Sequence, residues 1–306
     1  MRLKRKELNQ KKSEIHTVNK SGFTAKVSDY VALTKFRLAA LVVFSAATGY
    51  FMAMDFFDWK EFVFLILGGF LVTGSSNGFN QVIEKDLDKL MNRTKNRPIP
   101  AGRLGVKEAI FVSSVFGIVG LILLWMINPS SCILGFLALF SYVAIYTPLK
   151  TKTPLVVLIG AFPGSVPPLL GYVAASNAFG LEAGILFLVQ FFWQFPHFWA
   201  IAWRANDDYL KAGFKMLPLI EGRVKGSSWL ILLFAMFMLP VSLLPWAFDM
   251  THGIITIIIA STATFAFIWP AYKLYRTGEM KEATRLMFVS FFYLPVVQIA
   301  YIIDKI

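Results

Sequence analysis

About nine apolar stretches, each roughly 20 residues long, dominate this sequence of 306 residues. They begin near Arg37, Phe62, Ile110, Cys132, Leu155, Ala183, Trp229, Ile254 and Leu286. A helix that rises 1.5 Å per residue needs about 20 residues to cross a hydrocarbon core of about 30 Å. Only 16% of the residues are charged, against about 25% in soluble domains. The sequence therefore predicts an all-α integral membrane protein with about nine transmembrane helices.

The polar segments between these stretches suggest how the chain is organised. Residues 1–30 are polar and basic, which predicts a flexible cytoplasmic tail, and residues 31–306 are predicted to form a single transmembrane domain. Acidic residues lie at the end of the second stretch and again at the end of the sixth. This spacing predicts two pseudo-repeated halves of four helices each, followed by a ninth helix.

The net charge of +12 has a topological explanation. The Lys and Arg residues concentrate in alternate connections, as the positive-inside rule requires for loops in the cytoplasm. The pattern predicts a multi-pass protein of a prokaryotic cell (inner) membrane, with its N-terminus in the cytoplasm and its C-terminus outside. It identifies the lipid bilayer as the partner and argues against nucleic acid. Cys132 has no second cysteine with which to form an internal disulfide.

One helix face at the end of the second stretch carries an amide and two carboxylates. At 100° per residue, Asn80, Glu84 and Asp88 fall within about 80° of one another, whereas Asp86 points elsewhere. Oxygen ligands of this kind suit Mg²⁺, which takes one or two carboxylates together with substrate phosphates. Arg93 follows this face, and Lys95 and Arg97 come next, where they can contact the same phosphates. Asp86 fits either a second ion or an exposed position.

A second polar face ends the sixth stretch. His197, Arg204 and Asp208 share one side of a continuous helix, while Asp207 is turned away by about 80°. Pro196 is expected to kink this helix without changing the spacing after it. His197 is open to two readings, a contact to a substrate or a buried histidine hydrogen-bonded between helices.

Between the two halves, Tyr142, Tyr146 and Lys150 follow one another at intervals of four residues. Lys150 can pair with a phosphate oxygen, and the Tyr face can lie beside a cation. Interfacial aromatic residues and a positive-inside lysine explain the same pattern for Tyr142 and for the nearby Lys152. Arg37, at the start of the first stretch, has the same two possible explanations, a contact to phosphate or a positive-inside charge.

Four sequence segments resemble the UbiA-type intramembrane prenyltransferases, and within them the heme O synthase branch. The first is the Asn80, Glu84 and Asp88 pattern followed by NRTKNRPIPAGR, although most family members have Asp where this chain has Glu84. The second is PHFWAIAW with the following DDY and MLP, and the third is LIGAFPGSVPPLLGY at 158–172. The fourth is TKFRLAALV at 34–42, where Phe36 replaces a common Pro.

The resemblance implies a UbiA-type bundle and the transfer of a farnesyl group from farnesyl diphosphate to a vinyl group of protoheme IX. Water is added in this reaction, and heme O and diphosphate are the products. A downstream heme-modifying enzyme or terminal oxidase assembly is then an expected partner. The implied Mg²⁺ ligands are Asn80, Glu84, Asp88, Asp207 and Asp208. The implied catalytic residues are Asn80, Glu84, Asp88, Lys150 and Asp208, and the implied substrate-binding residues are Arg37, Arg93, Arg97, Tyr142, Tyr146, His197 and Arg204.

Two other functions fit parts of the sequence. A UbiA-type enzyme acting on an aromatic quinone precursor would share the diphosphate-binding residues. A cation transporter would use carboxylates at the membrane edge to line an ion path. A cation transporter is the weaker hypothesis, because arginines lie close to the carboxylates in the sequence and the outer half of each span lacks acidic residues.

Overall fold

The computed structural model of the chain describes residues 22–305. Eleven helices account for most of this range. In chain order they are α1 (Gly22–Thr34), α2 (Phe36–Ala53), α3 (Trp59–Ile83), α4 (Lys85–Leu90), α5 (Val106–Trp125), α6 (Pro129–Phe140), α7 (Val156–Ser176), α8 (Leu181–Lys211), α9 (Lys225–Ser242), α10 (Ile254–Thr277) and α11 (Met280–Ile303). A π-helical turn (Ser141–Tyr146) and two short helices (Thr147–Leu149 and Leu244–Ala247) complete them.

Nine of the described helical segments are long and apolar enough to cross a membrane. They are α2, α3, α5, α6 with its continuation to Leu149, α7, α8, α9 with its continuation to Ala247, α10 and α11. The prediction of an all-α membrane protein with about nine spans is confirmed. Many large apolar side chains on their outer surfaces are exposed, such as Phe111, Phe265 and Phe292, which is the surface that a lipid environment requires.

Close contact between α2 and α7 brings the two halves together. A Cβ atom added at Gly49 would overlap the carbonyl oxygen of Pro168, and one added at Gly171 would overlap that of Ala46. Membrane helices approach this closely only where small residues leave room for the neighbouring backbone. On either side of this contact, one hydrophobic cluster includes α2, α3 and α6 and the other includes α8 to α11.

A proline of α7 leaves one backbone carbonyl that a side chain of α8 satisfies. Pro168 has no N–H, so the carbonyl of Gly164 four residues earlier loses its helical donor. Gln190 of α8 donates to this oxygen from Nε2 at 2.6 Å. Gln194, one turn later on α8, donates to the carbonyl of Ala161 at 3.1 Å. The glycine- and proline-rich sequence of α7 thus fixes how α8 packs against it.

Helix α1 crosses the predicted boundary between tail and membrane domain at residue 30. It packs against α5 through Tyr30, whose hydroxyl donates to Glu108 at 2.6 Å, and Gln81 of α3 donates to the carbonyl of Leu33 at 2.8 Å. Residues 22–30 are therefore helical. The rest of the predicted tail, residues 1–21, lies outside the described residues.

Candidate active site

A cavity of about 570 Å³ lies inside the bundle, with walls from both halves. Polar and charged side chains line it near the ends of α3, α6 and the loop after α4, and mainly apolar and aromatic side chains line the rest. His197 belongs to the second region, about 16 Å along α8 from Asp208 at 1.5 Å per residue. Within the described chain, Glu84 and Asp88 are the only acidic residues that line this cavity.

The amide and carboxylates predicted on one helix face lie together at the polar end. Glu84 separates α3 from α4, but the helical bonds continue across it, from Glu84 N to Asn80 O and from Asp88 N to Glu84 O. Asn80, Glu84 and Asp88 are all buried. Asn80 donates from Nδ2 to Thr147 Oγ1 at 3.1 Å, which leaves its amide oxygen available as an acceptor. The helical spacing predicted this arrangement correctly.

Two basic residues pair with these carboxylates. Arg97 donates from Nη1 to Asp88 Oδ2 at 2.7 Å, and Lys150 Nζ lies 2.7 Å from Glu84 Oε1 in an ion pair that is not aligned as a hydrogen bond. Asp88 is fully buried, and its other oxygen, Oδ1, has no hydrogen-bond partner among the described residues. A buried carboxylate oxygen without a partner is costly, so Asp88 retains the capacity to bind a ligand.

The loop after α4 carries Arg93 and Arg97 into the cavity wall. Arg93 donates from Nη2 to the hydroxyl of Tyr209 at 3.2 Å, and its guanidinium lies 5.5 Å from the centre of the Tyr209 ring. Thr94 donates from Oγ1 to the carbonyl of Asp88 at 2.9 Å. Contacts to the protein thus hold the guanidinium groups of Arg93 and Arg97 in position, which favours binding of a phosphate group.

A π-helical turn positions the Tyr and Lys residues between the halves. Pro148 cannot continue the α-helical bonds, because its ring clashes with the carbonyl four residues earlier, and the preceding turn widens to Ser141–Tyr146. Tyr142, Tyr146 and Lys150 all line the cavity. The ammonium of Lys150 lies 4.7 Å from the centre of the Tyr146 ring.

Arg37 also lines the cavity. Lys35 lines it too, although the sequence did not predict it as a site residue. Lys35 links α1 to α2 in a left-handed conformation, with φ of 50°. Burial and the nearby positive charges of Arg97 and Lys150 lower the pKa of Lys35 to about 7. A left-handed turn between two helices leaves no sequence signal when a lysine occupies it, since glycine or asparagine is the usual marker.

His197 lies in the aromatic region, where Trp193, Phe198 and Phe291 surround its ring. It is buried, and its Nδ1 lies 2.6 Å from Ser290 Oγ of α11. Both His197 and Trp193 line the cavity. The structure shows the hydrogen bond between helices. Because His197 also borders the cavity, the contact to a substrate stays a prediction.

The remaining residues of the second polar face do not line the cavity. Asp208 accepts from the backbone N–H of Arg93 at 3.0 Å and from Lys211 at 3.0 Å, so it holds the arginine-bearing loop in place. Asp207 is exposed and binds Arg223 at 3.1 Å. Arg204 contacts Met287 Sδ at 3.1 Å.

Asp86 occupies the exposed position that was one of its two alternatives. Its carboxylate pairs with Lys89 at 2.9 Å and with Lys85 at 3.3 Å. The hydrogen bonds from these two lysines lower the pKa of Asp86 below its usual value. It does not line the cavity.

Comparison with known proteins identifies the family. The model of the UbiA prenyltransferase family matches residues 42–294. The chain belongs to this family. Its relatives include the protoheme IX farnesyltransferases of Christiangramia forsetii and Flavobacterium psychrophilum, each 46% identical, over 283 and 285 residues respectively. Each comparison covers 91% of this chain and 94% of the relative.

Solved structures share the fold at low sequence identity. The structure of a digeranylgeranylglyceryl phosphate synthase has a TM-score of 0.76 at 20% identity and covers 92% of this chain and 98% of that one. A UbiA homolog from Archaeoglobus fulgidus, bound to GPP and Mg²⁺, has a TM-score of 0.64 at 15% identity, with coverage of 90% and 99%. The predicted family and its intramembrane bundle are both confirmed, and the protein is a prenyltransferase.

Proposed function

We propose that this protein transfers the farnesyl group of farnesyl diphosphate to a vinyl group of protoheme IX, with addition of water, to give heme O and diphosphate. The observation that carries the proposal is a single cavity with two chemically different regions. Basic side chains and two carboxylates line one region, and His197 with aromatic neighbours lines the other. The relatives named protoheme IX farnesyltransferase, at 46% identity over most of the chain, support the same acceptor.

The polar region suits a diphosphate group. Five basic residues line the cavity against two carboxylates, so positive charge is in excess there; they are Lys35, Arg37, Arg93, Arg97 and Lys150. Fixed cations beside a leaving group stabilise the negative charge that develops when the allylic C–O bond breaks. The apolar wall formed by α2 and α7 would hold the farnesyl chain and keep water from the carbocation.

Magnesium would bind among Asn80, Glu84 and Asp88. Mg²⁺ prefers hard oxygen donors. This face offers Asp88 Oδ1, which has no hydrogen-bond partner among the described residues, together with the carboxylate of Glu84 and the amide oxygen of Asn80. No group of three His, Cys, Asp or Glu side chains within residues 22–305 could hold a metal by itself, so substrate phosphates would have to complete the coordination. When bound, Mg²⁺ supplies charge neutralisation at the diphosphate.

The carboxylate pairs suggest how the chain's own residues respond to substrate. Glu84 and Asp88 hold Lys150 and Arg97 at 2.7 Å in the free protein. If these carboxylates held a cation, Lys150 and Arg97 would be available to donate to diphosphate oxygens. Asp208 contributes by positioning, because it fixes the backbone of Arg93. Asp207 and Arg204 do not line the cavity, so they have no direct role in this proposal.

Membrane orientation belongs to the same proposal. The basic loops support an orientation in which the polar end of the cavity faces the cytoplasm of a prokaryotic cell, with the N-terminus inside and the C-terminus outside the inner membrane. The apolar product would then pass to a downstream heme-modifying enzyme or terminal oxidase assembly. Reporter fusions after Arg103 and after Asp249 are expected to report opposite faces of the membrane, and the same face for both would contradict this orientation.

Heme extraction from bacteria lacking their own heme O synthase tests the function. Cells that carry this gene are expected to accumulate a more hydrophobic heme on chromatography, and cells with the Asp88→Asn variant are not. Membranes are then incubated with farnesyl diphosphate and either protoheme or an aromatic quinone precursor. Prenylation of the quinone precursor alone would replace this proposal with the other branch of the family.

A further inference from the structure

The hydrogen bonds around His197 determine which of its ring nitrogens carries the proton. Ser290 Oγ lies 2.6 Å from the carbonyl oxygen of Met287 and 2.6 Å from His197 Nδ1. A serine hydroxyl has one hydrogen, and a carbonyl oxygen can only accept. At 2.6 Å the hydrogen must lie between Ser290 Oγ and the Met287 carbonyl, because two oxygens this close repel each other without it.

The donor and the acceptor of the other hydrogen bond of this serine are then determined. Since Ser290 Oγ already donates to Met287, it accepts from His197, and Nδ1 carries the proton. In a neutral imidazole the second nitrogen, Nε2, therefore presents a lone pair. His197 is buried, and among residues 22–305 its ring bonds to Ser290 and to no acidic side chain. No described carboxylate is therefore bonded to the ring to stabilise a second proton.

Aromatic neighbours hold the ring of His197 at the cavity wall. Trp193 stacks on one face, with ring centres 4.5 Å apart and planes 18° from parallel, and Phe291 lies edge-on at 5.0 Å. Trp193 is itself fixed, because its Nε1 donates to the Ser290 carbonyl at 3.0 Å. Among the described residues, none forms a hydrogen bond with Nε2, and His197 lines the cavity.

We infer that His197 binds the iron of protoheme through Nε2 and that Ser290 is the positioning residue that sets this tautomer. The inference rests on the proposed function. A lone pair at Nε2 can coordinate iron, whereas it would repel an ionised heme propionate, which also offers only lone pairs. A histidine that binds a metal commonly donates its other N–H to a fixed acceptor, and Ser290 fills that position.

The test is a titration of the purified protein with ferric protoheme, followed by absorbance. Replacing the partner of a ligating histidine typically weakens metal binding about 10- to 100-fold, so Ser290→Ala is expected to raise the dissociation constant of heme by that factor and to shift the Soret band. Ser290→Thr keeps the hydroxyl and is expected to retain the wild-type band. Ser113→Ala is the matched control, because Ser113 is equally buried, donates to the Ala109 carbonyl at 2.7 Å and does not line the cavity.

Farnesyl diphosphate binding and melting temperature are measured on each variant to separate folding from heme binding. If Ser290→Ala does not fold, the wild-type spectrum decides: a histidine-ligated signature that His197→Ala loses supports the inference, and its absence from the wild type overturns it. A Ser290→Ala variant that binds heme as Ser113→Ala does also overturns it. If the wild type makes heme O, such a result leaves the proposed function intact, whereas a wild type that neither binds nor farnesylates heme refutes that function.

Discussion

Replacing Asp88 with Asn removes one charge from the polar end of the cavity and changes little else. The side chain keeps its size, and its amide oxygen can still accept from Arg97. The ion pair becomes a hydrogen bond from the Arg97 cation to a neutral oxygen, which costs about 1–2 kcal/mol of folding stability. The variant is therefore expected to insert into membranes and to fold.

The effect on rate should be much larger than the effect on stability. A cation held by this carboxylate would contribute several kcal/mol to the stabilisation of a leaving diphosphate, and the variant would lose that contribution. A loss of about 4 kcal/mol corresponds to a fall of about 10³-fold in kcat, since each 1.4 kcal/mol is a factor of ten. Turnover is measured on purified protein with farnesyl diphosphate and protoheme, over a range of Mg²⁺ concentrations.

Asp86→Asn provides the matched control for this experiment. Asp86 lies two residues earlier, is 70% exposed as a side chain, and among the described residues pairs only with Lys85 and Lys89. The variant is expected to turn over at the wild-type rate. Near wild-type turnover by Asp88→Asn, or an equal loss in both variants, would refute the assignment of Asp88 to the metal and diphosphate site.

Three other predictions follow from the same geometry. Glu84→Asp should retain more activity than Glu84→Gln, because the negative charge remains; the reverse ranking would assign Glu84 another role. Asp208→Asn should raise KM modestly, since an amide oxygen can still accept from Arg93 N; complete loss of turnover would instead indicate a metal ligand. Because the pKa of Lys35 is lowered to about 7, Lys35 loses charge as the pH rises from about 6 to about 8. The Kd for farnesyl diphosphate should therefore rise more steeply in wild type than in Lys35→Met, and equal slopes would contradict this.

The sequence predicted the first polar face well because one nearly continuous helix carries it. Helical spacing alone brings Asn80, Glu84 and Asp88 to the same side, and the structure places all three on the cavity wall. The spacing of Tyr142, Tyr146 and Lys150 was equally informative, even though a π-helical turn changes the local geometry.

Helical spacing predicted the second polar face less well. Helical spacing places Asp208 on the same face as His197, but it does not reveal which loop meets that face, and Asp208 bonds to the backbone of Arg93 instead of lining the cavity. Ser290 had no sequence signal either, because a lone serine in an apolar helix usually bonds to its own backbone. Its importance depends on a contact across 93 positions of the chain.

Mass analysis of the heme produced by the purified protein tests whether this enzyme farnesylates protoheme. Protein in detergent is incubated with farnesyl diphosphate, protoheme and Mg²⁺, and the extracted hemes are separated. The wild type and Asp86→Asn are expected to form a product heavier than protoheme by the mass of one farnesol, and Asp88→Asn is not. Recovery of unchanged protoheme from the wild type, with farnesol as the only organic product of farnesyl diphosphate, would contradict the proposed function.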